Sequence, residues 1–290
     1  GTDSIALARA GAASVLGLDI DPLRIAMAQH NAAALDLQID FRVQDVMQGV
    51  PDGYDLIFYD PARRDERSKR IHDVEQYIPP LSLVKTWQAE AVAVKLSPGI
   101  DLAQLQGYGG LTEFISVGGD LKEAVLWLGT GKTDTKATLI ADDRIYHWQR
   151  DHEPHVGISE PRGWLVEPDA AILRAGLVQD VAEAMQGALL DETIAYFTVD
   201  AQPDSAWVRA WQIHDWMPFN LKKLRAYLRE HNIGKVTIKK RGFPMSPDEL
   251  QAKLKLKQKS GSESTTLVLT RYQGQPIVLI CADYVSFVAL

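Results

Sequence analysis

The first half of the chain alternates short apolar segments with helix-like segments, and this alternation constrains the fold more than any other feature. The segments Ser14–Ile20, Ile39–Val43 and Tyr54–Tyr59 have the apolar composition of strands, and Pro22 opens a helical pattern that runs through Ala34. Strands separated by helices are typical of doubly wound parallel sheets. The sequence therefore predicts an α/β domain whose ligands bind at the carboxyl ends of its strands.

The same alternation continues downstream and then changes after about Gln149. We expect a helix over Gln76–Glu90 and strands over Ala91–Leu96, Phe114–Val117 and Ala124–Leu128. A loop-like stretch over 151–163 precedes a helix over Asp169–Met185. The C-terminal part predicts a helix over Asn220–His231, a strand over Lys235–Lys240, a helix over Pro247–Leu256, and a hairpin of Thr265–Tyr272 with Pro276–Asp283.

These patterns predict three parts along the chain. An α/β domain spans residues 1–150, a connecting segment with a helix and strands spans 151–215, and a smaller α+β domain spans 216–290. The 290 residues are 46% hydrophobic and 24% charged, which is sufficient for buried cores in more than one domain.

Composition also excludes several classes of protein. The single cysteine, Cys281, excludes an internal disulfide and a multi-cysteine metal site. No apolar run reaches the ~20 residues that span a bilayer, so we expect no membrane partner and a cytoplasmic location. His147, His152 and His155 lie in or beside a proline-broken stretch, and we interpret them as solvated residues rather than metal ligands. We expect no metal.

Charge is distributed unevenly along the chain. The net charge is -7, yet residues 222–259 contain 12 Lys/Arg and 3 Asp/Glu, a local balance of +9. The remainder is therefore strongly acidic. An acidic body with one basic region is common among enzymes that act on nucleic acids, although a solvated helix face explains such a run as well.

Three carboxylates follow successive predicted strands. Asp19 ends the first strand, and a carboxylate there can accept hydrogen bonds from both hydroxyls of a ribose. Asp45 ends the next strand, where it can accept from an adenine amino group. Asp60 ends the third, where a substrate would meet a cofactor. The order and spacing of these three residues predict a site for an adenosine-bearing ligand.

The runs Gly1-Thr2-Asp3-Ser4, Gly17-Leu18-Asp19-Ile20-Asp21-Pro22, Asp45 and Asp60-Pro61-Ala62-Arg63 resemble class I S-adenosylmethionine-dependent methyltransferases. With the flanks of Lys239-Lys240-Arg241-Gly242, the chain is most similar to bacterial members with a C-terminal THUMP-like domain, and its core is similar to trimethylguanosine synthases. The resemblance implies a Rossmann-like sheet and S-adenosyl-L-methionine as cofactor. It implies a cofactor site of Gly1, Thr2, Asp3, Asp19, Ile20, Asp45 and Val46, and a catalytic motif of Asp60, Pro61, Ala62 and Arg63.

The chain departs from the family pattern in two places. The family's first strand and glycine-rich turn do not precede Gly1, so we expect the sequence to be N-terminally truncated. Enzymes that methylate exocyclic amines usually carry a second proline and an aromatic residue in the catalytic motif, where this chain has Ala62 and Arg63. A guanidinium can also stack on a base.

These features favour a methyltransferase that modifies a base in RNA, with an exocyclic amine as the favoured target. The residues expected to contact RNA are Arg64, Arg67, Lys222, Lys223, Lys239, Lys240 and Arg241. Two alternatives stay open at this point: a methyltransferase that acts on a protein or a small molecule, and an RNA-binding adaptor without catalytic activity.

Overall fold

A computed structural model of the chain describes residues 1–64, 67–256 and 261–286. The chain divides into two compact units. The first consists of residues 1–109 with 127–131, and the second of residues 110–126 with 132–290. Lys257 and Lys259, part of the predicted basic run, lie outside the described residues. The predicted boundaries near residues 150 and 215 remain predictions.

The first unit is built from two pairs of parallel strands and two α-helices. Strand β1 pairs with β2, and β3 pairs with β4, both in parallel. In chain order the elements are α1 (Thr2–Arg9), β1 (Leu16–Asp19), α2 (Pro22–Ala33), β2 (Asp40–Val43), β3 (Leu56–Tyr59) and β4 (Ala91–Leu96). The prediction of parallel strands is therefore confirmed for this part of the chain, and a helical crossover, α2, joins β1 to β2.

Helix α2 forms where the sequence predicts it, for local reasons that the structure makes visible. The Asp21 side chain caps the helix by accepting a hydrogen bond from the Leu23 backbone N–H at 2.8 Å, and Pro22 occupies the first helical position. On the inward face, Ala28 and its neighbours one turn away pack against Phe41 of β2. The crossover helix thus holds β2 beside β1.

The predicted helix over Gln76–Glu90 is wrong. Two short 3-10 turns, Val74–Gln76 and Leu81–Thr86, occupy this stretch instead. Pro79 and Pro80 stand between them, and neither residue has the backbone N–H that a continuous helix requires. The segment therefore packs as an irregular layer against the core through the buried side chains of Val74, Tyr77, Leu81 and Val84.

The second unit is dominated by strands. Its helices are α3 (Ala170–Ala175), α4 (Val178–Ala184), α5 (Leu221–Glu230) and α6 (Pro247–Leu254). Its strands are β5 (Leu111–Val117), β6 (Asp120–Leu128, which ends in the first unit), β7 (Asp134–Ala141), β8 (Arg144–Gln149), β9 (Trp164–Pro168), β10 (Ala188–Leu189), β11 (Phe197–Val199), β12 (Val208–Pro218), β13 (Ile233–Lys240), β14 (Glu263–Tyr272) and β15 (Gln275–Ser286).

The predicted helix over Asp169–Met185 is broken into α3 and α4. Asp169 caps α3 by accepting from the Ala171 N–H at 2.8 Å, as an N-terminal aspartate should. Gly176 then adopts a left-handed conformation, with φ of 72°, and ends α3 after six residues. Two short helices therefore stand where the periodicity alone indicates one.

Seven strands of the second unit form one sheet in the order β10-β11-β9-β12-β15-β14-β13. All neighbours are antiparallel except β13 and β14. One face carries a core around Trp211, Val268 and Leu279, and the other packs Leu267 and Leu269 against α5 and α6. Successive side chains of β14 point to opposite faces of the sheet. Because both faces are covered, the strand is buried continuously from Thr265 to Thr270. Among the described residues, no helix is long and apolar enough to cross a membrane.

Asp191 is a buried aspartate in the loop between β10 and β11, and it joins this loop to the β14–β15 hairpin. Gln273 and Gly274 form the turn of the hairpin, both with positive φ, as a tight hairpin turn demands. Asp191 accepts hydrogen bonds from the Gly274 N–H at 2.7 Å and from the Thr193 N–H and hydroxyl at 2.9 and 2.6 Å. The Thr193 hydroxyl is the main cause that lowers the pKa of Asp191.

We expect Asp191→Ala to lower the free energy of unfolding by about 2–3 kcal/mol at pH 7, because three donors lose a buried charged acceptor. The measurement is urea denaturation. Since the folded pKa lies below the unfolded value of about 3.9, the contribution is present above that pH and is lost as the pH falls through the folded pKa. Asp204→Ala, at an exposed position, is the control. Equal urea midpoints for Asp191→Ala and Asp204→Ala would show that Asp191 does not stabilise the fold.

Candidate active site and basic surfaces

Asp19 and Asp45 lie at the same edge of the β1–β2 pair. Asp19 is the last residue of β1 and is in register with Val43, the last residue of β2. Asp45 follows Val43 by two residues. Because both strands run in the same direction, their carboxyl ends and the residues that follow them meet at one edge. The structure therefore brings these two sequence-predicted residues together.

Each of the two carboxylates uses one oxygen to hold its own loop. Asp19 Oδ1 accepts from the Asp21 N–H at 2.9 Å, and Asp45 Oδ1 accepts from the Met47 N–H at 2.9 Å. Asp19 Oδ2 also lies 3.7 Å from Nη1 of the exposed Arg24 on α2. The loop contacts fix the orientation of both carboxylates, and the second oxygen of Asp19 faces an exposed guanidinium.

Apolar side chains are exposed beside these carboxylates. Ile20, directly after Asp19, is 67% exposed, and Val43 and Met47 are each 55% exposed. Large apolar groups gathered at one strand edge are unusual on a protein surface and are typical of binding sites. Carboxylate acceptors beside an apolar surface suit a ligand that combines hydroxyl groups with a flat ring.

The part that the start of helix α1 plays in the cofactor site remains a prediction. Gly1 precedes the helix, with Thr2 and Asp3 in the first turn. A Cβ atom on Gly1 would lie 2.6 Å from Ala28 Cβ, so a glycine is required for α1 to approach α2.

Asp60 follows β3 and forms an ion pair that the sequence analysis did not predict. Its Oδ2 lies 3.6 Å from the Nζ of Lys95 on the neighbouring strand β4. The Lys95 side chain is partly buried, whereas that of Asp60 is 37% exposed. Solvent therefore screens part of the attraction between the two charges. A single lysine within the otherwise apolar run Ala91–Leu96 is the signal that could have identified it.

The candidate catalytic motif is anchored by backbone hydrogen bonds. Ala62 and Ile78 exchange two of them, at 2.9 and 3.1 Å, and the Ile71 N–H donates to the Arg63 carbonyl at 2.9 Å. Beneath them the Tyr59 hydroxyl donates to the Pro79 carbonyl at 2.7 Å, and burial raises the pKa of this tyrosine. The motif is therefore rigidly supported on one side.

Cationic side chains follow the candidate motif in the sequence. Arg64 forms an antiparallel bridge with Arg70 and donates from Nη1 to the Ser68 carbonyl at 2.9 Å. The exposed cations of this basic segment are Arg64, Arg67, Lys69 and Arg70. With Asp65 and Glu66 of the same stretch counted, residues 64–70 carry four positive and two negative charges, a balance of +2 beside the candidate catalytic motif. A basic balance of this kind attracts polyanions.

The basic residues of the second unit fall into two classes. Lys222 and Lys223 begin α5, where their backbone N–H groups donate to the Asn220 side chain at 3.0 Å, and their side chains are exposed. Lys239 and Arg241 instead hold Glu167 of β9, at 2.8 and 3.2 Å. The two classes therefore differ in how readily they can meet an external anion.

Lys239 and Arg241 also contact aromatic rings. Lys239 Nζ lies 4.0 Å from the centre of the Trp211 ring, and the Arg241 guanidinium lies 5.1 Å from that of Tyr196. Lys240 points to the other face of β13 and donates to the Phe243 carbonyl at 3.4 Å. The RNA contacts expected of Lys239, Lys240 and Arg241 remain predictions, and the structure adds an internal role for each.

The histidines and the cysteine have structural contacts. His152 lies between Asp151 and Glu183, at 2.6 Å from each, and the Glu183 carboxylate is the main cause that raises the pKa of His152. His147 contacts the Thr138 hydroxyl at 3.0 Å. Burial raises the pKa of the Cys281 thiol to about 12. Over residues 1–64, 67–256 and 261–286, no group of three or more His, Cys, Asp or Glu could hold a metal ion.

Comparison with known proteins decides the family. Two Mycobacterium tuberculosis proteins, from strains CDC 1551 and H37Rv, are named uncharacterized S-adenosylmethionine-dependent methyltransferases. Each is 34% identical to this chain over 279 residues, which covers 93% of the chain and 75% of the relative. The chain belongs to the S-adenosylmethionine-dependent methyltransferases. Its cofactor is therefore S-adenosylmethionine, as the family resemblance of the sequence implies.

Two further comparisons concern the parts of this methyltransferase. A family model described as THUMP domain-like matches residues 208–283, which confirms the predicted C-terminal THUMP-like domain. The crystal structure of a candidate methyltransferase from Porphyromonas gingivalis W83 matches 98% of this chain and 74% of its own, with a TM-score of 0.76 and 22% identity. That likeness confirms the fold class, an α/β methyltransferase fold followed by a smaller domain.

A third relative matches only part of the methyltransferase. It is a Methanocaldococcus jannaschii protein provisionally named a protein N5-glutamine methyltransferase. It is 34% identical over 61 residues, which amount to 21% of this chain and 31% of the relative. A match of this length concerns one segment of the chain and not its overall organisation.

We expect Glu167→Gln to lower the free energy of unfolding by about 1–3 kcal/mol, because Lys239 and Arg241 lose a charged acceptor in a partly buried position. Thermal and urea denaturation measure the effect. Glu160→Gln, at an exposed position, is the matched control and should unfold like the wild type. A Glu167→Gln variant as stable as the control would show that the ion pairs contribute nothing.

Proposed function

We propose that this methyltransferase modifies a nitrogen of a base in RNA, with an exocyclic amine as the favoured target. The observation that carries the proposal is the THUMP-like match at residues 208–283, in a chain whose candidate catalytic motif is followed by a basic segment. Cationic side chains of this kind supply affinity for a phosphate backbone in any sequence context. A cytoplasmic location, where RNA is available and a lone thiol stays reduced, is part of the proposal.

The residues of the first unit fit the cofactor. In this proposal Asp19 accepts hydrogen bonds from the ribose hydroxyls and Asp45 accepts one from the adenine amino group. Ile20 and Val46 cover the faces of the adenine ring. The exposed side chain of Ile20 and the orientation of both carboxylates by their loop contacts support these assignments. The proposal also assigns to the cofactor the backbone N–H groups at the start of α1, at Gly1, Thr2 and Asp3.

S-adenosylmethionine, when bound, supplies the methyl group that is transferred. The protein's contribution is then to hold the nucleophile in place, which lowers the barrier by several kcal/mol when the geometry is right. The Asp60 carboxylate and the Pro61 carbonyl accept N–H hydrogen bonds from the target amine and orient its lone pair. They also stabilise the positive charge that develops on that nitrogen.

Neighbours of Asp60 complete the proposed site. Lys95 holds the Asp60 carboxylate from the side of β4, at 3.6 Å. No strong general base is needed, because the target nitrogen becomes acidic only after it has been methylated. Ala62 leaves space at the place where related motifs carry a second proline. Arg63 offers a flat guanidinium on which the target base can stack.

A second candidate is methylation of a glutamine side-chain amide in a protein. The partial match to the archaeal relative named for N5-glutamine methylation is the observation that favours it. An amide nitrogen also carries N–H groups, which can donate hydrogen bonds to the Asp60 carboxylate. The two candidates differ in the macromolecule recognised, so a labelled methyl group will separate them.

We expect Asp19→Asn to weaken binding of S-adenosylmethionine by about 10- to 100-fold, because a neutral amide is a poorer acceptor for two hydroxyl groups than a carboxylate. Isothermal titration calorimetry measures the dissociation constant. Asp36→Asn, an exposed residue in a left-handed turn that asparagine tolerates, is the control. Wild-type affinity in Asp19→Asn would remove this residue from the cofactor site.

We expect Asp60→Asn to reduce methyl transfer to RNA by about 100-fold or more while cofactor affinity is retained, because the developing positive charge loses its carboxylate partner. Radiolabelled S-adenosylmethionine is offered together with total RNA or with total protein. Asp52→Asn, at an exposed position before β3, should transfer at the wild-type rate.

Each result of this assay has a definite meaning. Label in RNA supports the first proposal, and label in protein alone supports the glutamine alternative. RNA that binds with the expected loss of affinity at high salt, yet receives no label from the wild type, would identify an adaptor without catalysis.

A further inference from the structure

The second unit contains a small pocket that is separate from the proposed cofactor and catalytic residues. Its volume is about 160 Å³. Backbone from the β5–β6 turn and from the start of α3 forms part of its wall, and the first residues of β12 form another part. The polar side chains that line it are Glu167, Asp169, Arg209, Arg241 and Ser286.

Arg209 is the residue that gives this pocket its chemical character. It lies on β12 between two cross-strand neighbours, Glu167 on β9 and Ser286 on β15. Its guanidinium lies 6.0 Å from the centre of the Tyr284 ring, and within the described part of the chain it makes no hydrogen bond and no ion pair. A partly buried guanidinium therefore presents all five of its N–H donors without an acceptor.

The β5–β6 turn makes room for this guanidinium. Gly118 and Gly119 both have positive φ, of 58° and 86°. A Cβ atom on Gly119 would lie 2.7 Å from Arg209 Nη2. The positive φ favours glycine at residue 119, and the absence of a side chain there lets the guanidinium lie close to the turn. The arginine is thus placed against the turn rather than left on a mobile surface.

The carboxylates around the pocket already have partners. Glu167 is held by Lys239 and Arg241, one on each oxygen. Asp169 accepts from the Ser116 hydroxyl at 2.6 Å and from the Ala171 N–H. Burial raises the pKa of Asp169, whereas these hydrogen bonds and the charge of Arg209 lower it.

The charge of the pocket follows from these pairings. With both carboxylates ionised, Arg209 and Arg241 balance Glu167 and Asp169 in the lining, and Lys239, which pairs with Glu167 from outside the lining, adds one positive charge. Arg209 is the cation that, among the described residues, has no hydrogen-bonded carboxylate. An anion that enters the pocket therefore meets a guanidinium whose donors are all available.

We propose that this pocket binds the terminal phosphate group of an RNA strand, through Arg209 with Arg241 beside it. A terminal phosphate carries −1.5 to −2 charges at neutral pH and three acceptor oxygens, and a guanidinium binds such a group with two parallel hydrogen bonds. A cavity of roughly 150 Å³ accommodates a group the size of a benzene ring, so this one accepts a single phosphate rather than a length of backbone. The proposal rests on the proposed RNA substrate.

The test compares three tetraribonucleotides of one sequence, carrying a 5′-phosphate, a 3′-phosphate or hydroxyls at both ends. Fluorescence anisotropy measures their binding to the whole chain. We expect one phosphorylated form to bind at least 10-fold tighter than the hydroxyl form, and Arg209→Ala to abolish that difference while leaving the affinity of the hydroxyl form unchanged. Arg209→Lys, which keeps the charge and loses the planar fork, should retain only part of the difference.

Arg144→Ala, an exposed arginine on β8, is the matched control and should retain the full difference. Melting temperatures establish that each variant is folded. Should Arg209→Ala be unfolded, Arg209→Lys and inorganic phosphate as a competitor of the wild-type protein decide the question in its place. Equal binding of all three oligonucleotides to the wild type, or an undiminished difference in Arg209→Ala, overturns the proposal.

Adenosine monophosphate and inorganic phosphate distinguish the source of the phosphate. If either binds as tightly as the phosphorylated tetranucleotide, the ligand is a small phosphate and the RNA end is excluded. Because these assays measure binding and not methyl transfer, they separate the two proposals. If affinity depends on the terminal phosphate but no RNA is methylated, the proposal for this pocket stands and the proposed methylation of RNA is refuted.

Discussion

The parallel register of β1 and β2 is the constraint on which the chemistry of the first unit depends. It aligns Asp19 with Val43 and so places Asp45 at the same edge. Gly17 secures the register, because the ring of its partner Phe41 occupies the space that a Cβ atom at residue 17 would need, at 2.5 Å. A slip of one residue would turn every side chain of a strand to the opposite face of the sheet. The carboxylates of Asp19 and Asp45 would then no longer lie close together.

Ion pairs determine which of the many charged residues are available to a ligand. Lys239 and Arg241 are engaged by Glu167, whereas Lys222 and Lys223 extend from the start of α5 into solvent. In the first unit, Lys95 accompanies Asp60 at the candidate catalytic motif. Charge counts along the sequence cannot separate these cases, because the partners lie on strands that are distant in sequence. Arg209 is the opposite case, a cation that lies against a glycine turn and has no hydrogen-bond acceptor among the described residues.

Local sequence signals predicted many elements and failed at identifiable places. Helices with a side-chain cap and a proline at the first position, such as α2, were predicted nearly to their ends. The helix over Gln76–Glu90 failed because its apolar spacing was counted without regard to Pro79 and Pro80. Strands β7 and β8 were missed because their turn consists of Asp142 and Asp143 in the left-handed conformation, which carries none of the usual glycine signal.

The sequence by itself determined the α/β character of the first half, the order of Asp19, Asp45 and Asp60 after successive strands, and the basic character of the C-terminal part. These properties are local, since each depends on residue types within a few positions of one another. Only the tertiary structure decided that Lys95 meets Asp60, that Glu167 engages two of the expected RNA-binding residues, and that Arg209 lies in a pocket. Such contacts join residues far apart in the chain, and their free energy depends on distance and burial, which a linear pattern does not contain.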